Sequence, residues 1–331
     1  MRAMVLHEPK PAEENPLRLE DVPVPEPGDR EIRVKITYCG VCHTDLHTVE
    51  GEIKAKLPVI PGHEIVGVVD KKGKNANRFE MGERVGIAWL NYTCGECEYC
   101  KKGMENLCPN ARFTGFHVNG GYAEYTIIHE DFAYKIPSLF PDEHAPPLLC
   151  AGIVGYRAYK LTEPRRGDKL AIFGFGASAA IAIQIAIYMG LEVYVFTRNP
   201  ERRKLAEFLG ASWTGDYNDT PPSKYERCVV YTPAGWMVPV ALEHLKPGGV
   251  VSLGGIYMTE IPPMDYERHL YYEKKLLSTT AATRKDGEEL MELAGKIPIR
   301  THTQVFGLEE ANEVLKILKK RQLKATGVLK I

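Results

Sequence analysis

Four of the chain's eight cysteines fall in one short run, Cys94, Cys97, Cys100 and Cys108. Two-residue gaps let neighbouring thiolates turn towards one point, and four sulfurs satisfy tetrahedral zinc with no coordination position left open. A closed site of this kind holds a loop together and does no chemistry. An iron–sulfur cluster is the alternative: Cys108-Pro109 supplies the dipeptide of its bacterial signature, but the gap ahead of Cys108 is too long for it. The expectation is a structural zinc.

Further ligand-type residues are dispersed, in Cys42-His43-Thr44-Asp45-Leu46-His47, in Gly62-His63-Glu64 and at Cys150. Taken singly, the histidines read as surface or hydrogen-bonded core residues, and Cys150 as a small buried hydrophobe. Spacing alone does not join them into one site. A third signal is Gly174-Phe175-Gly176-Ala177-Ser178-Ala179, which fits the dinucleotide fingerprint G-x-G-x-x-G/A. Gly174 permits the tight turn, Gly176 lets the backbone approach a pyrophosphate at a helix N-terminus, and Ala179 allows close helix–strand packing.

The fingerprint has meaning only between a strand and a helix, and the surrounding sequence predicts both. Lys169 to Phe173 reads as a short apolar strand, Ala177 to Met189 as a helix, and Val193 to Thr197 as a second strand. Pro200 to Leu209 reads as a helix with Asn199 as its N-cap and proline in the first position, where a missing N–H costs nothing. Arg227 to Tyr231 and Val250 to Leu253 read as further strands, with a helix near Val238 to Leu245 between them. This alternation predicts βαβ units on a parallel sheet. A helix from about Leu308 to Lys320 and a strand Gly327 to Ile331 follow. Residues before about 150 instead carry short β-like runs (Ile32–Ile36, Ile65–Val69, Arg84–Ile87) broken by Pro23, Pro25, Pro27, Gly28, Gly82 and Gly120-Gly121. Mainly antiparallel β structure is expected there.

The 331 residues suit two domains, and 44% hydrophobic with 26% charged residues is globular composition. With 42 Lys and Arg against 43 Asp and Glu, nothing electrostatic points to nucleic acid or an anionic membrane as partner. Ala177 to Phe196 imitates a membrane span, but Gln184, Gly190 and Glu192 interrupt it, so a buried helix followed by a buried strand is expected. Met1 to Lys10 carries no signal-peptide pattern, and a cytoplasmic location is expected. In a reducing compartment clustered cysteines bind metal more often than they pair.

Gly40-Val41-Cys42-His43-Thr44-Asp45, Pro61-Gly62-His63-Glu64, the four-cysteine run and Cys150-Ala151-Gly152 stand in the order found in zinc-dependent medium-chain alcohol dehydrogenases. The chain resembles that family along nearly its whole length, and Gly86-Ile87-Ala88-Trp89-Leu90 resembles its bacterial and yeast branch. The resemblance implies a GroES-like, mainly antiparallel β catalytic domain over 1–148, completed by 284–331, and a Rossmann doubly wound parallel-sheet domain over 149–283. It also implies a catalytic zinc on Cys42, His63 and Cys150 with one position free, and Asp45 as the residue orienting His63. Glu64 is implied behind the metal, able to replace a ligand transiently. Thr44 and His47 are implied as the proton relay, His43 as a contact to the cofactor pyrophosphate, and Trp89 as a wall narrowing the substrate pocket. The implied reaction is reversible hydride transfer between a small or aromatic alcohol and a nicotinamide, by way of a zinc-bound alkoxide.

An acidic residue at the end of the second strand normally binds the ribose hydroxyls of NAD. Thr197 and Arg198 stand there instead, so no carboxylate repels a 2′-phosphate and an arginine is at hand to bind one. Arg202 and Arg203 lie on the next helix turn, where they either add positive charge to that site or form a solvated basic surface. NADP rather than NAD is therefore expected. Where many relatives place Gly-Arg against the cofactor phosphates, this chain has Ala325-Thr326-Gly327, and that contact is not expected. The expected protein is an alcohol dehydrogenase or aldehyde reductase with two zinc ions, assembled as a homotetramer or homodimer. A zinc-free quinone or enoyl reductase on the same fold lacks this ligand set. A zinc-stabilised redox-sensing binding protein needs no relay.

Overall fold

In the strand Glu31–Gly40 burial alternates, with Ile32, Val34 and Ile36 at most 3% exposed, as a sheet covered on one face requires. The computed structural model describes residues 1–255 and 257–331. It divides into two units: Met1–Cys150 with Thr283–Gly295 and Thr301–Ile331, and Ala151–Ala282 with Lys296–Arg300.

The first unit is built around Glu31–Gly40. Glu64–Lys72 and Tyr125–His129 pair with it antiparallel, and Arg84–Ile87 and Ala133–Lys135 continue the sheet beyond Glu64–Lys72. Thr326–Lys330 pairs antiparallel with Tyr38–Gly40, and Thr303–Gly307 lies parallel to it, a departure from the otherwise antiparallel pattern. The core below includes Ile32, Val34, Ile65, Ile87, Ile128 and Leu329. Two segments carry the dispersed ligand-type residues. Cys42 caps the helix His43–Glu50, and Asp45 in its first turn closes a capping box by accepting the Cys42 N–H. The sequence offered this stretch only as polar residues between β-like runs; the cap is what makes it helical. Gly62, at φ +95°, turns the chain into Glu64–Lys72 immediately before His63. Leu90–Tyr92 and Arg112–Phe113 pair as a separate ribbon flanking the four-cysteine run.

In the second unit all neighbouring strands are parallel, in the order Trp213–Gly215, Glu192–Phe196, Lys169–Phe173, Tyr225–Val230, Leu245–Leu253, Lys275–Ser278. That is the doubly wound dinucleotide-binding arrangement, with Lys169–Phe173 beside the point where strand order reverses. The apolar stretch resolves into the helix Ala177–Tyr188 and the strand Glu192–Phe196. Among the described residues no helix is long and apolar enough to cross a membrane.

Candidate metal centre and cofactor loop

Ligand atoms of Cys42, His63, Glu64 and Cys150 lie within 4.8 Å of one another, all in the first unit. The two sulfurs are 3.7 Å apart, and Cys150 Sγ is 3.4 Å from His63 Nε2. His63 and Glu64 are at most 2% exposed. The other ring nitrogen, Nδ1, lies 3.0 Å from Asp45 Oδ1, a carboxylate partner that orients the ring with Nε2 towards the sulfurs.

The ionisable groups of the cluster perturb one another strongly: burial opposes a charged His63 ring, but Asp45 and Cys42 prevail and hold it well above the usual imidazole range. The Cys150 thiol and the His63 ring hold Cys42 well below the ordinary thiol range, while the Cys42 thiolate and burial push Cys150 well above it. A dication between the sulfurs would favour the ionised form of both. Burial drives the Glu64 carboxyl well up, helped by the Cys42 charge, and its Oε2 is buried without a hydrogen-bond partner. Two soft thiols, an aligned imidazole and an orphaned buried oxygen fit zinc.

The four cysteines of the second run also lie within 4.8 Å of one another. Cys94 Sγ is 3.5 Å from Cys108 Sγ and 4.0 Å from Cys100 Sγ. Backbone N–H groups of Glu96 and Cys97 bring the Cys94 thiol down to about 6, whereas burial and the neighbouring thiols push Cys100 up to about 12. Arg284 grips Glu105 within the same segment, Nη2 to Oε2 at 2.7 Å and Nε to Oε2 at 2.9 Å.

In the second unit, Gly174 turns at φ +85°, where a Cβ would stand 2.3 Å from Thr232 Cγ2. A Cβ on Gly176, the N-cap of Ala177–Tyr188, would meet nothing within 4 Å. The first glycine is therefore demanded by the fold. The second keeps open space at a helix N-terminus, which is what an approaching phosphate needs. Ala179 is fully buried.

Two family models match the chain: "Alcohol dehydrogenase GroES-like domain" over residues 28–138 and "Zinc-binding dehydrogenase" over 179–296. A probable alcohol dehydrogenase of Mycobacterium tuberculosis is 41% identical over 337 residues, covering 100% of this chain and 97% of that protein. The chain belongs to the medium-chain zinc alcohol dehydrogenase family. A cinnamyl alcohol dehydrogenase of Sorghum bicolor superposes with a TM-score of 0.86 at 26% identity, covering 99% of this chain and 97% of that one. A structure described as an NAD-dependent alcohol dehydrogenase gives 0.90 at 26% identity, covering each chain fully. The protein is accordingly an NAD(P)-dependent oxidoreductase acting on a small-molecule alcohol.

Of the residues singled out in the sequence, Cys42, Asp45, His63, Glu64 and Cys150 stand together in this dehydrogenase. Thr44 Oγ1 lies 3.7 Å from Cys42 Sγ, and His43 is exposed at the helix start. His47 lies one turn after Thr44, its Nδ1 2.5 Å from Glu52 Oε2, a partner the sequence gave no reason to name. Trp89 stands edge-on to His63 with ring centroids 5.0 Å apart and stacks on Phe113 at 5.0 Å; Phe116 lies 5.7 Å away. Phe113 and Phe116 were missed because isolated phenylalanines in a loop read as ordinary core.

At the end of Glu192–Phe196, Thr197 is 2% exposed and the Asn199 side chain accepts from the N–H groups of Glu201 and Arg202, as expected of an N-cap. Arg203 is already engaged: its Nε donates to the Thr197 carbonyl at 2.7 Å and its Nη2 is 3.7 Å from Asp216. Arg198 is exposed, lies 5.6 Å over the Tyr217 ring and, among the described residues, has no carboxylate partner.

Proposed function

We propose that the chain is a two-zinc, NADP-dependent alcohol dehydrogenase or aldehyde reductase, reversible, acting on small or aromatic alcohols. The observation that carries this is the convergence of Cys42, Cys150 and His63 Nε2, three ligand donors of the kind a catalytic zinc takes, with Glu64 as the only further oxygen in the group. A metal bound there supplies Lewis acidity for deprotonating an alcohol or polarising a carbonyl. The cysteines 94, 97, 100 and 108 would hold the second ion and fix their loop.

The chain's own residues do the rest. Thr44, on the Cys42 side of the cluster, would take up the substrate hydroxyl proton, with His47, one turn further along the helix, as its onward acceptor. Glu52 holds Nδ1 of His47, which leaves Nε2 to receive that proton. Asp45 keeps His63 in the ligating tautomer. Trp89, with Phe113 and Phe116 behind it, presents a flat apolar wall one ring away from His63, which supports flat or small substrates. The likeness to a cinnamyl alcohol dehydrogenase supports the aromatic case. Gly174, Gly176 and Ala179 form the loop that receives a cofactor pyrophosphate, and His43 is a candidate phosphate contact at the start of its own helix. Arg198 binds the 2′-phosphate of NADP beside Thr197; Arg203 supports that strand end. One structural relative is described as NAD-dependent, so the preference rests on Thr197 and Arg198 of this chain. The edge strand Lys275–Ser278 beside exposed Tyr266, Tyr271 and Tyr272 supports a homo-oligomer.

Metal analysis with a steady-state screen of primary and aryl alcohols and aldehydes against NAD and NADP tests the reading. Two zinc ions per chain and faster turnover with NADP are expected; active protein with one zinc or none would sink the metal assignment.

A further inference from the structure

We propose that Tyr122 is a positioning residue for the candidate catalytic metal, holding Asp45, and through it His63, in the ligating geometry. This rests on the reading that Cys42, His63 and Cys150 bind zinc. A carboxylate has about four lone-pair sites, and on Asp45, 2% exposed, all four are taken. Oδ1 accepts from the N–H of Gly62 at 3.2 Å and lies 3.0 Å from His63 Nδ1. Oδ2 accepts from the N–H of Cys42 at 2.9 Å and from the Tyr122 hydroxyl at 3.1 Å.

Three of these donors belong to the ligand-bearing segments themselves and move with them. Tyr122 alone comes from elsewhere, and its backbone is tied down on both sides. Its N–H donates to Pro61 at 3.0 Å, and its carbonyl accepts from Met4 at 2.8 Å. Its ring, fully buried, lies so close to Gly62 that a Cβ there would stand 2.4 Å from Cδ1. The hydroxyl thus braces the carboxylate from a separate segment, anchored to the strand of Met4 on one side and to the chain leading into His63 on the other. Without it, buried Oδ2 keeps one bond, and the carboxylate turns to recover another at the expense of His63.

The test is zinc release from the purified two-zinc protein into a chromogenic chelator, comparing wild type with Tyr122→Phe, which keeps the ring and removes only the hydroxyl. Groups that hold a ligand in place are worth about 10–100-fold in metal affinity. One bond further out, release from the Cys42 site should accelerate about tenfold, while release from the four-cysteine site stays unchanged and serves as the internal control. Cys42→Ser identifies which phase is which. In an Asp45→Asn background the tyrosine substitution should add little, because its route to His63 is already altered. Equal release rates in wild type and Tyr122→Phe overturn the proposal, as does equal acceleration at both sites or an undiminished effect in the Asp45→Asn background. Wild-type protein that holds a single zinc overturns the metal reading and this inference with it; two zincs with no difference overturn this inference alone.

Discussion

The cofactor preference can be tested by dividing two neighbouring arginines. Arg198 is exposed with its guanidinium over Tyr217, whereas Arg203 is committed to the Thr197 carbonyl and lies near Asp216. A hydrogen bond to a charged group contributes about 1.5–3 kcal/mol net. At about 1.4 kcal/mol per factor of ten, a single Arg198–phosphate bond is worth roughly 10- to 100-fold. Arg198→Ala should therefore raise KM for NADP by that factor and leave KM for NAD almost unchanged, with kcat little affected because the contact is far from the reacting carbon. Arg203→Ala should shift either KM by less than about threefold, yet lower stability by about 1 kcal/mol, since its main bond is internal. Thr197→Asp should reverse the preference, placing a carboxylate where ribose hydroxyls can use it. Initial rates against each cofactor at saturating alcohol measure all of this. A wild-type specificity constant higher for NAD, or an Arg198→Ala defect equal for both cofactors, would refute the reasoning while leaving the metal cluster untouched.

Cys42→Ser should abolish turnover and drop one zinc with the fold retained, whereas Cys97→Ser should lose the other zinc and lower Tm, because a structural zinc supplies folding energy; zinc content and calorimetry separate the two. His47→Gln should slow alcohol oxidation most at and below neutral pH, by at most about 100-fold, with cofactor affinity unchanged; an unaltered pH–rate profile removes His47 from the relay. Glu130, 3% exposed, accepts from the N–H groups of Asn77 and Arg78 at 2.6 Å each and from Arg30; burial opposes its ionisation, but these donors prevail and hold its carboxyl below the usual range. Its contribution is therefore fully present above the unfolded carboxyl value of about 4.3 and is lost as pH falls through the lower folded value. Glu130→Gln should cost roughly 2–3 kcal/mol at neutral pH and progressively less in acid, read from urea unfolding at several pH values.

The second unit was readable because its strands are buried on both faces and its caps are local. Lys169–Phe173 and the Asn199-Pro200 start follow from residues within one turn of each other. Trp213–Gly215 and Lys275–Ser278 gave no such signal: one is three residues ending in glycine, the other lies at a sheet edge and is mostly exposed. The helix Arg284–Lys296 was not foreseen either, because Gly287 and Gly295 interrupt its pattern. A Cβ on Gly287 would stand 2.4 Å from Tyr134 Cε1, so close packing, which propensity cannot see, requires the first of them. The four-cysteine cluster was legible from spacing. The Cys42–His63–Cys150 cluster was legible only through resemblance, because sheet pairing of Glu31–Gly40 with Glu64–Lys72 is what brings Cys42 and His63 together. Tyr122 and Glu52 had no local signature at all.

The pairing of Thr326–Lys330 with Tyr38–Gly40 also sets an order of events during synthesis. A nascent chain that has reached Cys150 already contains Cys42, His63 and Cys150, the three ligands proposed for the catalytic metal. Yet the backbone leading into Cys42 still has a bare edge, since the strand that covers it lies downstream of the whole second unit. The sheet edge beside Cys42 is therefore completed only after the second unit has been synthesised. The second unit, nearly continuous in sequence, can fold in the meantime. Ribosome stalling ahead of Thr326 should consequently impair metal loading well before it disturbs the dinucleotide fold.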